Sequence, residues 1–230
     1  MMEPRITNWP NTAANPKYVS LDISSMPYID NLAYSLFSIS LAGFLLLYTV
    51  SSMYGVYNRR ERNFEDHLKS ACVPLGLIGA YMFIMGLWGQ FTWPLPGSYN
   101  ILFYDPLISF GIVLIAFALA VKCRLKLEYV GFLGLMVGLM TIAYGAEGYS
   151  IGLTQAPVAL LLLYFLYGFT GILSFPVSLM ADRAPDMRKG RVWHGWKFTL
   201  AMFWIFLLLA SLLSGFVAVS AISAHLITTP

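Results

Sequence analysis

Read for its spacing of apolar and polar positions, the chain shows six long runs almost without charge, separated by short polar breaks. They cover residues 32–57, 71–91, 106–121, 129–146, 157–180 and 198–224. Each approaches the roughly 20 residues that a helix, rising about 1.5 Å per residue, needs to cross a hydrocarbon core of about 30 Å. The third and fourth runs, of 16 and 18 residues, are short, and Lys122 and Lys126 are expected to extend them by reaching to the interface on long apolar stems. The pattern predicts an all-α polytopic membrane protein, a bundle of six transmembrane helices in three helical hairpins over residues 28–230. Residues 1–27 read as an external polar arm. The arm holds Pro4, Pro10, Pro16 and Pro27 and lacks the apolar stretch of about 7 or more residues that a cleavable signal needs, so the first span is expected to direct insertion.

Composition sharpens this picture. Of 230 residues, 58% are hydrophobic and 11% charged, and the mean hydropathy is +0.69. Soluble domains carry roughly 25% charged residues, so a water-soluble globule and a disordered chain are excluded. A nucleic-acid-binding domain is excluded too, because it needs a dense basic face. The net charge of +3 follows from topology. Arg59, Arg60, Arg62 and Lys69 lie between spans one and two, Lys122, Arg124 and Lys126 between three and four, and Arg183, Arg188, Lys189, Arg191 and Lys197 between five and six. Twelve of the 14 basic residues thus share one side of a six-span chain. Cytoplasmic loops carry this excess, so both termini are expected outside the cytoplasm of a cell membrane. Cys72 and Cys123 fall at the cytoplasmic helix ends, where thiols stay reduced.

The first two hairpins resemble each other. Tyr28-Ile29-Asp30 leads into the first span and Phe103-Tyr104-Asp105 into the third, while spans two and four are both rich in glycine. Duplication accounts for this, and so do two ordinary helix caps. Gly134 with Gly138, and Gly168 with Gly171, make flat patches suited to close helix contact in lipid.

Candidate chemistry is sparse. No ionisable side chain sits near the middle of a span, which disfavours a proton pump or a transporter built on buried charges. The three histidines, His67, His194 and His225, show no metal-ligand spacing and no paired arrangement for haem, so neither metal nor cofactor is expected. An outer-mouth ligand site is the one binding reading. It groups Asp30, Asp105 and Glu147, expected at one outer level, with Gln90, Trp93 and Tyr104 on a proline-aromatic stretch over residues 88–106 that could act as a lid. Three solvated helix caps explain the carboxylates equally well. On the cytoplasmic side, Arg188, Lys189, Arg191, Trp193 and Trp196 suit anionic lipid headgroups or a docking partner.

The run Phe91-Thr92-Trp93-Pro94-Leu95-Pro96-Gly97-Ser98-Tyr99-Asn100-Ile101-Leu102-Phe103-Tyr104-Asp105 is distinctive, and through it the sequence resembles a family of small, mostly archaeal polytopic membrane proteins known as domain of unknown function 981. The resemblance extends over about residues 28–225 and implies an archaeal membrane setting without catalytic residues. Two function classes fit. The first is a non-catalytic subunit or assembly partner of a larger membrane complex, respiratory complexes included, in contact with the lipid bilayer and with other membrane subunits or copies of itself. The second is a small-molecule or ion binding or transport protein with an outward-facing site under the Trp93–Asp105 stretch.

Overall fold

Helices form where the apolar runs lie, in the order α1 (Asn31–Arg59), α2 (Phe64–Thr92), α3 (Ser98–Lys122), α4 (Glu128–Ser150), α5 (Pro157–Arg183) and α6 (His194–Ile227). This computed structural model describes residues 31–59, 64–183 and 194–227. All six helices are long and apolar enough to cross a bilayer; the described residues form no strand, and the chain is a multi-pass membrane protein.

The third and fourth helices are longer than the charge-free runs suggested, at 25 and 23 residues. For α3 the reason is local. Proline was read as the start of the span, yet Pro106 sits inside the helix, whose first residue is Ser98. Proline lacks the N–H that would bind the carbonyl four residues back, here that of Leu102. The Tyr164 hydroxyl donates to that carbonyl at 2.6 Å from α5, so the helix continues through the proline with its backbone satisfied. The expected lid over residues 88–106 therefore shrinks to a link over residues 93–97, and Asp105 lies two turns inside α3.

Each helix packs on its two chain neighbours, and α6 closes on α1, so the six form a ring. The expected hairpin partners touch, but the closest pairs are α4 with α5 and α2 with α3, joined by short links over residues 151–156 and 93–97. The end of the ring with these links is termed outer, and the opposite end inner. Close approach in α4–α5 depends on glycine. A Cβ on Gly138 would lie 2.5 Å from the Gly168 carbonyl oxygen, and one on Gly171 would lie 2.7 Å from that of Gly134. The two glycine patches thus face each other within one molecule. At the inner end the Asp182 carboxylate of α5 accepts from the backbone N–H groups of Leu127 (2.9 Å) and Glu128 (2.8 Å), capping α4 from its neighbour.

Candidate functional site: an axial cavity beneath a polar brace

Six cylinders about 10 Å wide, set side by side in a ring, enclose a hole about as wide as another cylinder. Side chains must fill it or leave a void. In the outer half they fill it: Leu36, Leu102, Leu163, Tyr164 and Tyr167 meet in one buried cluster contributed by α1, α3 and α5, with Ala210 and Ala218 from α6. In the inner half the wall turns small, with Ala42 and Gly43 on α1 and Gly131, Gly134 and Gly138 on α4, and a cavity of about 210 Å³ remains.

All six helices line this cavity. Its outermost lining residues are Ile39, Met82, Phe110, Tyr167 and Leu207. The Phe110 and Tyr167 rings meet edge to face at 5.4 Å, and the Tyr167 hydroxyl is held by Ser214 at 2.8 Å. The walls carry hydroxyls, but these are turned back on the helices: Thr49 donates to the Leu45 carbonyl (2.7 Å), Thr170 to that of Leu166 (2.8 Å) and Ser178 to that of Phe175 (2.7 Å). The exposed lining is consequently apolar. The inner end reaches Leu127, Ala181, Trp196 and Lys197.

Above the cavity sits a polar brace. Both oxygens of Asp105 accept hydrogen bonds, Oδ1 from the Gln90 amide of α2 and Oδ2 from the Tyr144 hydroxyl of α4 at 2.6 Å. One carboxylate thereby ties three helices. Beside it the fully buried Asn100 clamps the α2–α3 link, donating to the Gly89 carbonyl (3.0 Å) and accepting from the Leu95 N–H (3.3 Å).

The structure thus joins Gln90 and Asp105 from the expected outer site. Tyr104 is buried, with its ring against Gly89, and Trp93 stands in the link at φ 49°, half exposed. Glu147 is exposed on α4 and has no described hydrogen bond to Asp105. Asp30 lies outside the described residues, as do Arg188, Lys189, Arg191 and Trp193; Trp196 is described and borders the cavity.

Sequence reasoning missed Tyr144, Tyr164 and the cavity itself. Acidic residues and histidines are the chemistry that stands out in an apolar sequence, whereas the brace is completed by one of many tyrosine hydroxyls. Gly134 and Gly138, legible in the sequence as contact surface, also border the cavity together with Gly131.

No curated protein and no solved structure matches the chain. The family model described as protein of unknown function (DUF981) matches residues 26–228, nearly the whole chain, and the protein belongs to that family.

Proposed function

We propose that this protein is a membrane-embedded binding protein that takes an apolar small molecule into its axial cavity. The observation that carries this reading is the cavity: about 210 Å³, lined by all six helices and apolar along its walls, with Lys197 at the inner end. An apolar cavity of roughly 150 Å³ is known to stay dry and to take up benzene, so a hole of this size favours an apolar occupant over water. This places binding at the inner half of the ring and leaves the outer carboxylate as a brace. In this reading the basic residues, concentrated at the inner end, orient that end to the cytoplasm and both termini to the outside of an archaeal cell membrane.

A second reading, a non-catalytic subunit of a larger membrane complex, respiratory complexes included, draws support from Asp105. Both its oxygens are engaged in holding helices together, which is the use of a carboxylate in a scaffold.

One experiment separates the two. The protein is released from native membranes in mild detergent, and both the small molecules and the polypeptides that co-migrate with it are identified by mass spectrometry. An apolar compound in stoichiometric amount supports the binding reading. A stoichiometric polypeptide without such a compound replaces it with the subunit reading.

A further inference from the structure

We infer that the occupant is a single-chain amphiphile with an anionic head: its tail lies along the axial cavity and its head meets Lys197 at the inner end. This deepens the binding reading and rests on it. Shape argues for a chain. Along α5 the lining runs from Tyr167 to Ala181, which at a rise of about 1.5 Å per residue is about 20 Å. A volume of about 210 Å³ spread over that length makes a narrow bore, which suits an extended hydrocarbon tail better than a flat ring system. The wall chemistry agrees, because the Thr49, Thr170, Ser174 and Ser178 hydroxyls donate to helix carbonyls and the Tyr167 hydroxyl is held by Ser214, so these groups ask nothing of the occupant.

Charge sets the polarity of the ligand. At the outer end the bore stops against Phe110 and Tyr167, so a polar head has no place there. At the inner end Lys197 borders the cavity, exposed on its solvent side, beside Trp196. A lysine bordering an apolar bore and exposed to solvent, next to an interfacial indole, matches a carboxylate or phosphate head carried on an alkyl tail. Lys122 and Arg124, at the same end of the ring, add to the positive field that such a head would enter, whereas Lys126 is paired with Glu128 at 3.6 Å.

The test uses the purified full-length chain in detergent and two photoreactive probes of equal tail length, a fatty acid and the corresponding fatty alcohol, each with a diazirine near the tail end. Labelled peptides are mapped by mass spectrometry, with excess palmitate as competitor. The fatty acid is expected to label cavity peptides containing Phe110, Val113 or Val137 and to be displaced by palmitate, at least tenfold more efficiently than the alcohol. Lys197→Gln is expected to lower fatty-acid labelling about tenfold, the loss of one charge-assisted contact, and Lys197→Arg to retain it. Equal labelling by both probes, unchanged in Lys197→Gln, would overturn the anionic-head inference and leave the cavity reading standing. Labelling confined to lipid-facing peptides with both probes would overturn the cavity reading itself. Val137→Trp, and Val113→Trp should the first fail to fold, fill the bore and are expected to abolish cavity labelling by either probe.

Discussion

The Tyr164 hydroxyl donates to the carbonyl oxygen of Leu102, the one carbonyl that Pro106 deprives of its helical donor. Tyrosine on α5 thus supplies what proline withholds from α3. The relationship predicts a coupling: Tyr164→Phe should lower stability by roughly 1 kcal/mol, as expected when a buried carbonyl loses its partner. In a Pro106→Ala background, where the backbone N–H returns, the same change should cost much less. Unfolding in mixed micelles followed by circular dichroism would measure the cycle, and equal costs in both backgrounds would refute the compensation.

Asp105 links α2 and α4 through α3 by accepting from Gln90 and Tyr144. Asp105→Ala removes both acceptors and should destabilise by about 1–3 kcal/mol. Asp105→Asn keeps one carbonyl oxygen and should lose less. Thermal unfolding of the two variants ranks them; a harmless Asp105→Ala would show that the brace holds nothing.

The α4–α5 seam tolerates no added atoms, because a Gly138 side chain would meet backbone on α5. Gly138→Val should cost about 3 kcal/mol or more, since helices with carbonyls in the way must move apart as rigid bodies. Gly55, whose Cβ would meet nothing within 4 Å, is the matched control. Size-exclusion profiles after detergent extraction should show aggregation for Gly138→Val and a normal peak for Gly55→Ala.

Asp182 caps α4 from the neighbouring helix through two N–H groups. Asp182→Ala should cost about 1 kcal/mol and act locally. Hydrogen exchange should accelerate at the amides of Leu127 and Glu128 while the glycine seam stays protected.

Orientation can be read from the native cysteines, since Cys123 is exposed at the inner end and Cys72 is buried. With the inner end in the cytoplasm, a membrane-impermeant maleimide should label intact cells poorly and Cys123 strongly after permeabilisation. Strong labelling of intact cells would invert the topology.

Much of the fold was legible in the sequence because lipid imposes a length and a polarity on every span; all six runs met the polarity, and four of them the length as well. The start of α3 was not. Pro106 looks like a helix boundary in isolation, and it is a hydroxyl 58 positions further along, at Tyr164, that satisfies the carbonyl it leaves without a donor. The pairing of Gln90 with Asp105 was foreshadowed by their shared outer level, whereas the contribution of Tyr144 depends on how α3 and α4 rotate against each other. The cavity was invisible for a related reason. A run of glycines at positions 131, 134 and 138 describes a thin wall, and whether a thin wall touches a neighbour or borders a void is decided by the closure of the ring.

That closure has a kinetic side. The α2–α3 and α4–α5 pairs join residues close in sequence, while the Ser40 hydroxyl of α1 reaches the Ser211 carbonyl of α6 at 2.8 Å across a separation of 171 residues. Contacts between distant parts of a chain form late, after local ones have been made. The molecule is therefore expected to pass through an open trough of hairpins before the α1–α6 seam shuts. A hydrocarbon chain from the surrounding bilayer can settle in that trough sideways, and the seam would then close over it, loading the protein as it folds.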